Sequence, residues 1–493
     1  MLKRMTPAMM LFFALLLFTG AASILGASNG LLQSDPSEVE MIQQPLDDMD
    51  PLLEEAIADH VMPGAVVLVA RDGEVVKHDA YGYAARYTDS DFTEMDDPVE
   101  MSEDTIFDLA SISKLFTATA VLQLWDQGAF ELDDAVADYI PEFAANGKEE
   151  VTIRQLLTHT SGFRPSTTQP LHEIEGDREG KLAFVLNETL QNPPGEQYLY
   201  SDVDFITLGV LIERISGQRQ DEFIEQFISV PLNMTDTMYN PPAELQQRIA
   251  ATEEQPWVNR ELVWGEVHDE KAWTLDGVAG HAGMFSTAAD LAVFGQMMLQ
   301  DGTYEGVEVL SEEAVELIST NWNEEIPGAR SSGLGWELNQ SWYMDRLAET
   351  NTLGHTGYTG TSIVVSPNND TVALLLTNRV HPTRETVSTN PVRLVVGEKT
   401  GTAISAWSAN AMKDYVEVLD ERGAFIEDSA SHMINLHLTA VHQYELQNDT
   451  EKVIRHMESL QTLLDYQLDQ ELITEGAYDD LMMDADYLID SWE

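Results

Sequence analysis

The sequence predicts an α+β fold followed by a small all-α domain, and three observations carry that reading. Apolar runs at 64–71 and 74–82 flank Asp72-Gly73, a turn that closes an antiparallel hairpin. A second pair of strands, 361–366 and 371–378, is joined by Pro367-Asn368-Asn369-Asp370, and helical periods fill the chain between the two hairpins. From about Ser408 the texture changes to repeated amphipathic helices that run to the chain end.

Composition narrows the function classes. The chain has 493 residues with 43% hydrophobic content, enough for a sizeable core and more than one domain. Lys and Arg number 26 against 85 Asp and Glu, a formal charge of -59 that repels nucleic acid phosphates and anionic lipid. So no nucleic acid partner is expected, and the acid reads as a solubility device for a salty habitat. With no cysteine there are no disulfides, thiolate ligands or lipid-modified N-terminus, and covalent chemistry falls to Ser, Thr or a carboxylate.

At the N-terminus, Lys3 and Arg4 precede an apolar stretch over 8–18 and then small residues. Residues 1–27 read as a secretory signal cut after Ala27 or Ala21, or as a single membrane anchor if left uncut. The expected location is therefore extracellular or on the cell surface. Residues 28–46 are polar and read as a linker, the main domain spans 47–397, a second linker spans 398–407, and 408–493 form the helical domain.

In the main domain, Leu52, Ala56 and Ile57 mark a helix ending at Asp59, before the first hairpin. The segment Phe107-Asp108-Leu109-Ala110-Ser111-Ile112-Ser113-Lys114 leads into a helix in which Leu115, Ala118, Leu122 and Trp125 keep helical spacing until Gly128. A serine just before a helix start with a lysine three residues on puts hydroxyl and amine on one face of the first turn. The helix N-terminus favours a developing alkoxide or oxyanion, so Ser111 is the candidate nucleophile and Lys114 its partner. Alone, Ser-x-x-Lys is a weak signal.

His159 and Ser161, two residues apart beside Gly162, read as stabilisers of a turn. Pro193-Pro194-Gly195 turns the chain toward Tyr198-Leu199-Tyr200-Ser201-Asp202, and 205–215 reads as a buried helix. At that junction two readings stay open: Tyr200 as a proton shuttle, or a core tyrosine with Asp202 capping the helix. His268 and His281 have no ligand spacing of a metal motif, so no metal and no cofactor are expected. Residues 288–299 are helical, and Gly333-Leu334-Gly335-Trp336 opens the second strand region. There Gly357, beside His355-Thr356, either leaves a strand edge open to an extended substrate or marks a bulge. The Tyr358 amide is a candidate second oxyanion donor.

Ser111-x-x-Lys114, Tyr200-Ser201-Asp202 and His355-Thr356-Gly357 fall in the order and spacing of the three motifs of the class C β-lactamase family, which includes penicillin-binding carboxypeptidases, D-amino-acid peptidases and esterases. The resemblance extends through Leu-Leu-Thr-His-Thr-Ser-Gly, Gly280-His281-Ala282-Gly283 and 333–336. It implies an antiparallel sheet flanked by helices, a helical lobe and a site in the cleft between them. It also implies that Ser111 is acylated, that Lys114 and Tyr200 relay its proton, and that the amides of Ser111 and Tyr358 form the oxyanion hole. Asp202, His355, Thr356 and Gly357 would then line the substrate site.

Two positions depart from the lactamase pattern. Asp202 replaces Asn and, when ionised, holds Lys114 protonated; His355 replaces Lys and removes a permanent positive partner for a β-lactam carboxylate. The resulting expectation is a secreted serine hydrolase acting through an acyl-enzyme on an amide or ester, a cell-wall D-amino-acyl peptide or a small ester. A peptidoglycan-binding protein without turnover and a true β-lactamase are the alternatives.

The helical domain shows Met412, Tyr415, Val416 and Leu419 on one helix; Met433, Leu436, Ala440 and Tyr444 on a second; and Val453, Met457, Leu460 and Leu464 on a third. The last carries Ala477, Leu481, Ala485, Leu488 and Trp492, and 425–430 partly echoes 472–477, as in a duplicated hairpin. His432, His437 and His442 are spaced so that they turn to different sides of a helix and cannot share one metal. The segment is similar to the FIMAH domain, through Ala424-Phe425-Ile426, 436–440, 452–457 and 488–492. That resemblance implies an accessory role on secreted proteins of Gram-positive bacteria, here as a tether to an envelope partner.

Overall fold

The computed structural model describes residues 30–493. The segment read as a signal or anchor lies outside the described residues. Eight strands form the main sheet: β1 (Leu32–Gln33), β2 (Gly64–Arg71), β3 (Glu74–Tyr87), β4 (Glu94–Glu100), β5 (Glu337–Leu338), β6 (Leu353–Thr356), β7 (Ser362–Ser366) and β8 (Thr371–Thr377). Their order is β1-β3-β2-β8-β7-β6-β5, with β4 on β3. Every pairing is antiparallel except the short edge strand β1, which runs parallel to β3.

The central strands read as continuous apolar runs because both faces of the sheet are covered. On β2, Val66, Leu68 and Ala70 enter the larger core while Ala65, Val67 and Val69 enter the smaller one. Helices α1 (Met49–Ala58), α2 (Ser113–Asp126), α3 (Asp202–Ser216), α4 (Ala288–Leu299) and α5 (Asn390–Ser405) supply the covers. α1 and α5 lie on the smaller core; α4 closes the other face, and α2 against α3 centres the helical lobe. α2 is buried almost all round, its polar Ser113, Lys114, Thr117, Thr119 and Gln123 included.

Both segments expected as linkers are part of the fold. In 28–46, the described part pairs as β1, Met41 and Leu46 are buried, and the Ile42 amide donates to the Ala403 carbonyl at 2.9 Å. Isolated apolar anchors between polar residues carry no periodicity, so this docking is invisible in the pattern. Residues 398–407 lie largely inside α5. The one glycine of this segment reflects close approach rather than freedom, since a Cβ on Gly401 would meet Arg346 Cβ at 2.4 Å; the same holds just before it, where one on Gly397 would meet the Met344 carbonyl at 2.4 Å.

Four further helices, α6 (Ala409–Glu421), α7 (Asp428–Glu445), α8 (Thr450–Asp469) and α9 (Glu475–Trp492), enclose a third core. On α7 the buried stripe is Ala430, Ile434, Leu438 and Val441, while Met433 and Leu436 are exposed, so the expected face is corrected. Apolar residues on both sides of that helix satisfy two periodic templates, and packing selects one. The echoing segments lie side by side: the Ile426 amide donates to the Leu472 carbonyl and the Thr474 amide to the Ala424 carbonyl, both at 3.0 Å. His437 Nε2 donates to the His456 carbonyl at 2.8 Å and His442 meets Glu445, so these histidines do not converge.

The helical domain is docked on the main one. Arg346, buried beneath α5, reaches Asp484 of α9 at 2.5 Å, and its guanidinium covers the Tyr415 ring at 4.6 Å. Arg422 donates to the carbonyls of Arg346 and Ala348 at 3.2 and 2.9 Å, and Tyr487 donates to Asp48.

Candidate active site

Ser111 lies in a 3-10 turn, Ala110–Ile112, immediately before α2. Ala110 has φ +47°, a left-handed conformation that costs a residue with a Cβ roughly 1–3 kcal/mol and persists only when its surroundings enforce it. They do so from three directions. The buried Asp108 carboxylate accepts from the amides of Ala110 at 2.8 Å and His268 at 2.6 Å. The carbonyls of Asp108 and Leu109 accept from Thr359 Oγ1 and Thr361 Oγ1 at 2.8 and 3.2 Å. A Cβ on Gly357 would fall 2.1 Å from Thr361 Oγ1 and 2.5 Å from the Leu109 carbonyl, so glycine is needed there for space. The strand edge at β6 is thereby pressed against the Ser111 turn.

One helical turn on, Lys114 is wholly buried. Its Nζ donates to Ser111 Oγ at 3.1 Å, to Asp202 Oδ1 at 3.0 Å and to the His281 carbonyl at 3.3 Å, and lies 4.7 Å from the Tyr200 ring centre. Burial is the largest single influence and pulls the lysine pKa down, but the Asp202 carboxylate and the Tyr200 phenol together outweigh it and the net shift is upward. Burial likewise raises the Tyr200 phenol, against the opposing influence of Lys114 and Ser111. The resting pair is an ammonium and a neutral phenol.

The turn at His159 is what fixes Tyr200. The His159 carbonyl accepts from the Leu199 amide at 2.9 Å and its Nδ1 accepts from the Ser201 amide at 3.1 Å. Asp204, buried in the first turn of α3, accepts from Ser161 Oγ at 2.5 Å and lies 3.0 Å from His159 Nδ1. The cap of α3 is Ser201, whose Oγ accepts from the Val203 amide, and not Asp202. Asp202 is free for the lysines.

On the opposite wall β5 pairs with β6 at Leu353 and Gly354, so its cover of that strand ends before His355 and Thr356. His355 Nδ1 donates to the Thr356 carbonyl at 2.8 Å, leaving Nε2 without a proton; burial first and Lys114 second push its pKa to about 3. The imidazole is neutral at any ordinary pH. Ser111, Tyr200, His355, Thr356, Gly357 and Tyr358 line one cleft of about 530 Å³. Among the described residues neither the Ser111 nor the Tyr358 amide donates to a protein acceptor. A second cavity, of about 480 Å³ beside Ile224 and Met238, holds none of these groups.

The profile of the Beta-lactamase family matches residues 49–398. The chain belongs to the β-lactamase family. It also carries a FIMAH domain, matched over 409–490. A "Putative D-alanyl-D-alanine carboxypeptidase" of Escherichia coli K12 is 34% identical over 380 residues, covering 71% of this chain and 86% of that protein. Among solved structures, a class C β-lactamase superposes with TM-score 0.59 at 20% identity, over 72% of this chain and 96% of its own. A penicillin-binding protein homologue from Caulobacter crescentus gives 0.57 at 21% identity, over 73% and 98%. Family membership makes the protein a serine hydrolase.

All eight residues expected at this β-lactamase-family site are gathered around the cleft, with Asp202 behind Lys114. Sequence reasoning missed the charges that surround them. Arg379 and Arg393 line the cleft, and among the described residues neither is paired with a carboxylate; Arg393 is held by the carbonyls of Gly357 and Thr361 at 2.9 and 3.0 Å. The expectation that His355 leaves the site without a permanent positive partner is therefore corrected. Lys271 and Asp269 were also missed. The ligand atoms of Asp202, Asp269 and His281 approach within reach of a shared ion, but the Lys271 ammonium already lies between the two carboxylates, 3.2 and 3.1 Å from them. Against burial, Lys114 and Lys271 hold the Asp202 carboxyl well below its usual range.

Proposed function

We propose that this serine hydrolase is a D-alanyl carboxypeptidase that acts on peptides ending in a free carboxylate. The observation that carries the reading is the pair Arg379 and Arg393, unpaired cations in a chain of charge -59, beside the edge His355-Thr356-Gly357. A terminal carboxylate there would meet permanent charge, with guanidinium geometry suited to it. The carboxypeptidase relatives support the same substrate class.

In this account neutral Lys114 takes the proton of Ser111 as Oγ attacks the carbonyl carbon, and the amides of Ser111 and Tyr358 receive the oxyanion. Tyr200 passes that proton to the departing amine, so the C–N bond breaks and a D-amino acid leaves an ester on Ser111. Water then attacks the ester, gives its proton back through Tyr200 and Lys114 to Oγ, and releases the shortened peptide. The protein works outside the cell or on its surface, supported by the N-terminal pattern and the FIMAH domain. A second reading, capture of such peptides without turnover, is favoured by the Lys114–Asp202 pair, which keeps the base protonated at rest.

An N-acylated peptide ending in D-alanyl-D-alanine and the same peptide ending in D-alaninamide separate the readings. Release of D-alanine with kcat/KM at least about tenfold above that of the amide is expected, the scale of one charge-assisted contact. Equal turnover of the two, or turnover of small esters alone, would contradict the carboxypeptidase reading.

A further inference from the structure

The acyl-transfer account uses Lys114 and Asp202 but gives Lys271 no part, although one carboxylate bridges both lysines. Asp202 Oδ1 faces Lys114 at 3.0 Å and its Oδ2 faces Lys271 at 3.2 Å. From Lys271 the contacts return to Lys114. Its Nζ lies 3.1 Å from Asp269 Oδ2, Asp269 Oδ1 accepts from His281 Nε2 at 2.8 Å, and the His281 carbonyl accepts from Lys114 Nζ. The ring is fixed by local structure: Asp269 caps the short helix Glu270–Thr274, accepting from the amides of Lys271 and Ala272 at 2.9 Å each.

A carboxylate shared by two ammonium groups holds each less firmly than it would hold one, and the two cations repel. Tyr200, His159 and His355 also face Lys114, and burial keeps all three uncharged at neutral pH. The groups whose charge bears on whether Lys114 can lose a proton are thus Asp202, Lys271, Asp269 and the His281 ring that Asp269 holds.

We propose that Lys271 is a positioning residue for acylation: by engaging the second oxygen of Asp202 it stops that carboxylate from committing wholly to Lys114, and so leaves Lys114 able to accept the proton of Ser111. The proposal rests on the reading of Ser111 as nucleophile and Lys114 as its base.

The rate at which a fluorophosphonate labels Ser111 in the full chain, measured against pH, tests it. Lys271→Met is expected to move the profile about one pH unit to the alkaline side, about tenfold slower at pH 7, with Lys271→Arg restoring the original midpoint. Asp269→Asn, which keeps a capping side chain, is expected to move it the opposite way and decides the matter if Lys271→Met does not fold. A merely structural role would lower thermal stability without displacing the midpoint. Labelling of Ser111 with unmoved profiles in Lys271→Met and Asp269→Asn would overturn the role of Lys271 alone. A wild-type chain that labels nowhere would remove it together with the nucleophile reading.

Discussion

Asp202→Asn is expected to accelerate acylation of Ser111 at pH 7 by about tenfold or more, since each unit off the Lys114 pKa gives ten times as much neutral amine. Lys114 is wholly buried, so desolvation works against its charge, and the carboxylate at 3.0 Å is the largest influence opposing that effect. An asparagine keeps a hydrogen-bond acceptor but not the charge, and burial then prevails. In the parent protein the neutral fraction of Lys114 grows tenfold per pH unit below its raised pKa, so labelling should climb with pH through the neutral and alkaline range. The Asp202→Asn profile should lie at lower pH with the same shape. Stopped-flow labelling at several pH values checks this; a slower variant, or one with an undisplaced profile, would mean that Asp202 does not restrain the base.

Arg346→Met is expected to lower the unfolding free energy by about 3–5 kcal/mol, because it strands the Asp484 carboxylate, fully buried at 0% exposure, without its partner. Removing both charges with Arg346→Met and Asp484→Leu should recover much of the loss, as two apolar side chains need no desolvation. Urea titrations of the single and double variants measure both. A single variant with an unchanged midpoint would show that the ion pair contributes nothing. The pair matters beyond stability because Tyr343 and Met344, just before Arg346, press on Gly354 of β6, where a Cβ would meet Tyr343 Oη and Met344 Cε at 2.7 Å. The helical domain thus bears on the strand that carries His355. Ending the chain before α6 would take both Asp484 and the Tyr415 ring away from Arg346 and uncover its charge, so this domain is packed into the hydrolase and not simply hung from it.

What was legible in the sequence was what local rules dictate. The Asp72-Gly73 hairpin, the turn at 367–370 and the buried helix after Ser111 follow from short-range pattern, and each lies where it was expected; the three motif positions are read from the family resemblance, and the fold gathers them around one cleft. What escaped was long-range. Arg379 and Arg393 follow ordinary strand and helix positions, and only folding turns them into one cleft. Lys271 carries no local signal of a role, because its partner Asp202 is remote in the chain. The segments 28–46 and 398–407 read as linkers because stretches without a clear apolar period give no sign of the partners they dock against.

The central claim is that Ser111 is an activated nucleophile. Intact mass of the protein after incubation with a fluorophosphonate in high salt, set beside Ser111→Ala, tests it most directly. The account predicts one adduct per chain, located at Ser111, and none in the variant. A parent chain that gains no mass, or an adduct that survives Ser111→Ala, would contradict it.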